Sequence, residues 1–249
     1  MNYFLISTST LTRKSGNIQS MNKELGIVIV AGGSSSRYGE KNKLLELIGN
    51  MPIIAHSPMK FRNLSPDNHI VIVSNKENLN LYELILSKFI MNNSFSFAIG
   101  GNTRGDSVYN GLQYLKNFDI KYVAIHDAAR PLASSKLMVS CLDQCIRKGS
   151  AVAAKKITDT IKSADEKLKI VSTIDRSTLW AMETPQVFNF ADILTAYELV
   201  RKNKLSVTDD ASAMEASGKE VYLVENKEYN QKITYPWDLP LANFIYNSK

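Results

Sequence analysis

Only two cysteines and three histidines occur among the 249 residues. Cys141 and Cys145 sit in "CLDQC", four apart on an expected helix, with no His or further Cys close in sequence. A metal site needs more ligands than that. They read as small buried side chains of a protein kept in a reducing compartment. No apolar run approaches the ~20 residues that span a bilayer. With 12 Gly and 7 Pro, the chain carries no fibrous or disordered signature. It has no internal repeat and no low-complexity linker. Neither a Walker A nor a G-x-G-x-x-G spacing occurs. The Asp-x-Asp motif expected of a metal-using glycosyltransferase is missing after any expected strand. No Ser–His–Asp set, metal-ligand spacing or glutamate pair stands out.

The balance of charge is +6, with 30 Lys and Arg against 24 Asp and Glu. The basic residues are scattered among acids rather than gathered on one run. That pattern suits a small anionic ligand and argues against nucleic acid, which needs a concentrated basic face. Met1–Ser20 is rich in Ser and Thr and contains no acid. A secretory signal would follow its charge with an apolar core, and this segment has none. Residues 1–22 are expected to be a flexible extension, with Met21 an alternative start. The expected location is cytoplasmic, or a plastid-type organelle if Met1–Ser20 is a targeting remnant.

From Leu25 the pattern alternates. "LGIVIVA" (Leu25–Ala31) and "HIVIVSN" (His69–Asn75) read as short buried strands, "FSFAIGG" (Phe95–Gly101) as strand-like, and "KYVAIHDAARP" (Lys121–Pro131) as a strand that runs into a polar turn. Between them, Pro52–Leu64, Leu79–Ile90, Ser107–Leu115 and Ser135–Gly149 read as helices. Strand, helix, strand at this spacing gives βαβ units and a mostly parallel sheet. In Ala151–Phe188 two extended segments flank a charged turn near Asp165–Lys169, which reads as a β-hairpin arm at about residues 155–178. Helices at Ala191–Asn203 and Thr208–Gly218, the latter capped by Thr208 or Asp209, precede a strand at Glu220–Asn226. One α/β domain over residues 23–249 with a protruding arm is expected.

Ligands of such sheets bind beyond the carboxyl ends of the strands. Three polar signatures stand at three expected strand ends. In "AGGSSSRYG", Gly32 and Gly33 allow a tight turn and close approach to a ligand, Ser34–Ser36 add hydroxyls, and Arg37 and Lys43 can reach the same anion. "GGNTRGDS" adds a glycine pair, Arg104, and Asp106 or Ser107 as helix cap. "HDAARP" sets Asp127 and Arg130 three apart, as a site for a metal or ribose or as a simple ion pair. Alone, Lys232 reads as a solvated lysine. His56 and His69 read as a helix-surface and a strand-edge residue without a role.

Taken in order, these stretches resemble the motifs of the 2-C-methyl-D-erythritol 4-phosphate cytidylyltransferases of the non-mevalonate isoprenoid pathway. "AGGSSSRYG…NKLLEL", "GGNTRGDSVYNGL", "HDAARP", "TDTIK", "TIDRSTLWAMETPQVF", "TDDASAMEASG" and "NQKITYPWDL" carry the resemblance from Leu25 to about Ala242. It implies a Rossmann-like, mostly parallel nucleotidyltransferase fold with a hairpin arm, usually a homodimer whose arms clasp. It also implies CTP and methylerythritol phosphate as substrates, with Mg²⁺ or another divalent cation carried mainly on the CTP phosphates. By the same resemblance, Ala31, Gly32, Gly33, Ser34 and Ser35 wrap the triphosphate, and Arg37, Lys43 and Lys232 are the catalytic cations. Gly101, Asn102 and Ser107 read the cytosine, with Arg104 beside them. Asp127 serves the ribose and substrate side, Arg130 and Thr184 hold the substrate, and Thr160 and Arg176 reach across from the partner subunit. Two departures stand out. Ser35 occupies a position where glycine is common, and the Arg37-to-Lys43 segment is one residue short with "NK" for "PK". Lys41 and Lys43 are thus alternatives for one cation, and the apolar register of "NKLLEL" favours Lys43. The competing readings are a ribitol-5-phosphate cytidylyltransferase and a non-catalytic nucleotide-binding protein on the same fold. "HDAARP" and "DTIK" argue against the first, and the retained cations against the second.

Overall fold

Buried apolar strands organise the molecule. The structure, a computed structural model, describes residues 24–33, 36–89 and 95–248. The expected extension at residues 1–22, and Ser34 and Ser35, lie outside them. The elements run in order: β1 (Leu25–Val30), β2 (Leu47–Ile48), β3 (Met51–Pro52), α1 (Ile53–Phe61), β4 (Ile70–Ser74), α2 (Lys76–Phe89), β5 (Ser96–Ile99), α3 (Arg104–Leu115), β6 (Tyr122–Asp127) and α4 (Ser135–Lys148). After these come β7 (Ser150–Lys156), β8 (Ile161–Ala164), β9 (Ile170–Ile174), β10 (Trp180–Asn189), α5 (Phe190–Lys202), α6 (Asp210–Ala216), β11 (Leu223–Glu225) and α7 (Asp238–Asn247).

A seven-stranded sheet in the order β11-β7-β10-β6-β1-β4-β5 forms the centre. β1 pairs in parallel with β4 and β6, and β4 with β5, while β10 runs antiparallel between β6 and β7. The continuous apolar runs follow from burial of both faces. In β1, Ile27 and Ile29 pack with α1 residues Ile53, Ile54 and Phe61, whereas Val28 faces the other way onto Val108 and Leu112 of α3. β4 divides likewise, Ile70 and Ile72 against Val71 and Val73. From β1 the chain winds outward to β4 and β5, then returns to place β6 on the other side of β1. That reversal opens a crevice beyond the carboxyl ends of β1 and β6.

Several expectations need correction, while the stretch Ala151–Phe188 simply holds more than the arm expected at about residues 155–178. Its two ends are β7 and β10, central strands whose residues Ala151–Ala154 and Glu183–Phe188 are buried. Only β8 and β9 form a separate two-stranded hairpin. The strand expected at Glu220–Asn226 is three residues long. His56 is on no surface: it is 1% exposed, with Nε2 3.2 and 3.1 Å from the carbonyl oxygens of Ile48 and Met51. A neutral ring there serves the β2–β3 turn. His69 closes a 3₁₀ turn ahead of β4 and packs its ring on Phe118. Helix α3 starts earlier than expected because Thr103, not Asp106 or Ser107, is its cap. Thr103 Oγ1 accepts from the Asp106 N–H at 3.0 Å while Asp106 accepts from the Thr103 N–H, a reciprocal capping box. Asp209 caps α6 as expected. Cys141 and Cys145 are buried and free, and burial pushes both thiols up to about 12, leaving them unreactive. Among the described residues no helix is long and apolar enough to cross a membrane.

Candidate active site

The three polar signatures meet. A pocket of about 340 Å³ opens beyond β1, β5 and β6. Ala31, Gly32 and Gly33 form one wall, with Arg37 and Lys43 after them. Gly101, Asn102, Arg104 and Ser107 form the second wall, and Asp127 and Lys232 close the third. Every described residue expected to bind CTP or to supply a catalytic cation lines this one pocket. Ser34 and Ser35, also expected there, fall outside the described residues.

Local chemistry explains each wall. The Ala31 N–H donates to the Val73 carbonyl at 2.7 Å, so β1 stays paired until the loop departs. A Cβ at Gly33 would meet nothing within 4 Å; what the missing side chain leaves open is pocket, not packing space. The loop returns at Asn42, whose side chain accepts from the Leu44 N–H at 3.1 Å and donates to Tyr82 Oη at 2.8 Å. Asn42 thereby pins the short 3₁₀ turn that begins at Lys43 onto α2. Proline, with no side-chain amide, could not do this, which gives the "NK" departure a physical function. Lys41 is exposed and does not line the pocket. In the second wall, Gly101 donates its N–H to Ser107 Oγ at 3.1 Å. A Cβ on Gly101 would lie 2.3 Å from Asp106 Cβ, so only glycine lets the loop lie this close to the cap.

The third wall is an ion network. Asp127 Oδ2 accepts from Lys232 Nζ at 2.8 Å, and Oδ1 from Arg104 Nε at 3.1 Å. Arg130 Nε is farther, at 3.9 Å. The Asp127–Arg130 pair read from the sequence is present but is the weakest of the three. Burial alone would raise the Asp127 pKa. Arg104, then Lys232 and Arg130, outweigh it and hold the carboxyl well below the usual carboxylate range. Lys43 is held below the ordinary lysine value, first by burial and then by repulsion from Lys232 and Arg37. The pocket thus concentrates positive charge, as a site for a polyanion requires. The loop carrying Lys232 is fixed by Asp238, whose Oδ2 accepts from the N–H groups of Thr234 and Tyr235 at 2.7 and 2.8 Å.

Arg130 and Thr184 adjoin the pocket without lining it. Arg130 donates to the carbonyls of Asn230 at 2.7 Å and Met182 at 3.3 Å. Thr184 is buried; its Oγ1 accepts from the Asp127 N–H at 3.1 Å and lies 3.0 Å from His126 Nδ1. His126 is fully buried, and burial first of all pulls its pKa down to about 3. The neutral ring faces the Arg130 carbonyl and Ser57 Oγ with Nε2. With the Nε2 proton directed there, Nδ1 accepts from the Thr184 hydroxyl. Thr160 and Arg176 lie apart from the pocket. Both are exposed at the base of the β8–β9 hairpin, and Arg176 donates to the Thr158 carbonyl.

Sequence reasoning passed over Asn42, His126, Asp210 and Asp238, all of which hold site residues in place. One available signal was the second Asp of "TDD", left without a task once Asp209 was the cap.

Comparison with known proteins gives the chain a family. Residues 25–248 match the family model IspD, 2-C-methyl-D-erythritol 4-phosphate cytidylyltransferase. The protein of that name from Bacillus mycoides (strain KBAB4) is 36% identical over 225 residues, covering 90% of this chain and 98% of the relative. A chloroplastic one from Oryza sativa subsp. japonica is 37% identical over 229 residues, 91% of this chain and 76% of the relative. The crystal structure of 4-diphosphocytidyl-2C-methyl-D-erythritol synthase from Anaerococcus prevotii superposes with a TM-score of 0.78 at 25% identity, covering 92% of this chain and 100% of that one. A model matched across nearly the whole described chain, on top of a shared fold, settles membership: the chain belongs to the 2-C-methyl-D-erythritol 4-phosphate cytidylyltransferase family.

Proposed function

We propose that the protein transfers the cytidylyl group of CTP to 2-C-methyl-D-erythritol 4-phosphate, giving 4-diphosphocytidyl-2-C-methyl-D-erythritol and pyrophosphate. A phosphate oxygen of the methylerythritol phosphate attacks the α-phosphorus of CTP, and the bond to the β-phosphate oxygen breaks as pyrophosphate leaves. Family membership supports the reaction. The observation that carries it is the gathering of Arg37, Lys43 and Lys232 on one glycine-walled pocket.

A phosphate monoester has a second pKa near 6 and is mostly a dianion at neutral pH, so the nucleophile needs no general base. The barrier is the approach of anion to anion, together with the charge that builds on the equatorial oxygens. Arg37 and Lys43 stand where they can neutralise that charge. Lys232, held by Asp127, adds a third cation whose direction is fixed. The Gly32–Gly33 wall receives the triphosphate, and Gly101, Asn102 and Ser107 receive the base. Mg²⁺ enters as part of the CTP substrate. Both Asp127 oxygens are already taken by Arg104 and Lys232. No group of three or more His, Cys, Asp or Glu among the described residues could hold an ion.

Arg130 and Thr184 border the substrate side, and Thr160 and Arg176 serve the site of a second copy. The protein acts as a homodimer through the β8–β9 hairpin. That hairpin carries Leu168, Ile170 and Val171 at 88, 61 and 67% exposure, an apolar load that a lone arm leaves in water. The test is release of pyrophosphate from CTP, Mg²⁺ and methylerythritol phosphate by the purified chain, with ribitol 5-phosphate as the rival acceptor.

A further inference from the structure

The stretch "TDDASAM" sets two aspartates side by side at the start of α6, and the helix cap uses only Asp209. The Asp210 side chain is fully buried, yet it does not line the nucleotide pocket. Its two oxygens accept from the two terminal nitrogens of Arg104, at 3.0 Å from Nη1 and 2.9 Å from Nη2. Tyr197 Oη donates to the same carboxylate at 2.6 Å. The third donor position of Arg104, Nε, points into the pocket and reaches Asp127 Oδ1 at 3.1 Å. One guanidinium is therefore a strut between a carboxylate outside the site and one inside it.

We propose that Asp210 is a positioning residue for cytidylyl transfer: by gripping Arg104 at two points it fixes the orientation of Asp127 and, through Asp127, of Lys232. The proposal rests on the functional reading given above. A guanidinium held at one nitrogen can swing. Held by a carboxylate fork, its plane is set, and with it the direction of Nε–H. Asp210 is itself anchored from another element. Gln186 of β10 accepts from the Ala211 N–H at 3.0 Å and donates to Asp209 Oδ2 at 3.0 Å, locking the first turn of α6 onto the sheet. The chain of contacts from Gln186 to Lys232 thus passes through the first turn of α6 with Asp210, then Arg104 and Asp127, spanning five separate parts of the sequence.

The experiment is steady-state kinetics on the full chain for wild type, Asp210→Asn, Arg104→Lys and the double variant, with folding checked by circular dichroism. Asn keeps the shape but turns an amide N–H toward the guanidinium, and Lys keeps the charge without the fork. Asp210→Asn is expected to raise the KM for CTP by ~10-fold or more, with a smaller fall in kcat. The double variant is expected to be no worse than the poorer single one, because both break the same strut. Lys219→Ala, which removes a surface ion pair with Asp192, should match wild type. A folded Asp210→Asn protein with wild-type KM and kcat overturns the proposal, and so do losses that add in full in the double variant. If Asp210→Asn does not fold, Tyr197→Phe removes one bond to the same carboxylate and should raise the KM for CTP ~3-fold; unchanged constants there overturn the proposal equally. A wild-type chain that fails to turn over the two substrates removes the functional reading itself and this inference with it. Wild-type turnover with an unaltered Asp210→Asn removes the inference alone.

Discussion

Lys232 and Asp127, 105 residues apart in sequence, meet at 2.8 Å on the floor of the pocket. The pair joins the end of β6 to the extended stretch before α7, and it holds the Lys232 ammonium group at the pocket wall. Asp127 also faces Arg104 and Arg130. Loss of its charge takes that counter-ion from Lys232 and Arg130 and leaves Arg104 with Asp210 alone.

Asp127→Asn is therefore expected to destabilise the fold by about 3 kcal/mol at pH 7. The Asp127 pKa is depressed in the folded state. Its contribution is therefore complete above the unfolded carboxylate value of about 4 and is lost as pH falls through the lower folded value. The stability gap between wild type and variant should thus be full at pH 7 and should shrink progressively below pH 4. Urea unfolding of both proteins at pH 7 and at pH 3 measures this. An equal gap at both pH values would count against the ion network.

Lys43→Ala should lower kcat by ~10²–10³-fold, while Lys41→Ala stays within a few-fold of wild type. Lys43 lines the pocket and Lys41 faces solvent. Steady-state pyrophosphate release reads both variants. The opposite pattern would show that the short loop is in a different register.

The pH profile of kcat/KM should be a bell. Its acid limb lies near pH 6, where the substrate monophosphate gains its second proton. Its alkaline limb lies below the ordinary lysine value of about 10.4, because burial and the neighbouring Lys232 and Arg37 let Lys43 lose its proton early. Lys43→Arg keeps the charge at all these pH values and should carry the alkaline limb upward at reduced rate. An alkaline limb that does not move would assign it to another group.

The β8–β9 hairpin supplies the fourth expectation. Ile170→Asp combined with Val171→Asp should leave the central sheet intact, since neither residue packs in either core cluster. If the hairpin joins two copies, light scattering should show a halved mass, and turnover should fall because Thr160 and Arg176 no longer reach a second site. Unchanged mass together with full activity would remove the arm from the assembly.

The parallel half of the fold was legible in the sequence, whereas the sheet partners of the antiparallel strands were not. β1 and β4 are short β-branched runs buried on both faces, which is a strong local signal, and β5 and β6 follow them at the same βαβ spacing. The sequence reading sets an arm at about residues 155–178, between β7 and β10, but assigns neither of those strands to the central sheet, because local patterning cannot mark where pairing changes partner. Lining residues such as Gly33, Arg37, Gly101, Asp127 and Lys232 were found because each stands just after a strand end or in a recognisable block. Asn42, His126, Asp210 and Asp238 were not found, because their roles exist only through partners far away in sequence. Buried His56 shows the same limit: a helix-surface position by spacing becomes interior when the β2–β3 turn folds over it.

The most direct test of the account is pyrophosphate release by the purified chain with CTP and Mg²⁺, given either methylerythritol phosphate or ribitol 5-phosphate. Rapid release with the first and at most trace release with the second is the predicted result. Preferential turnover of ribitol 5-phosphate, or none with either, would contradict it.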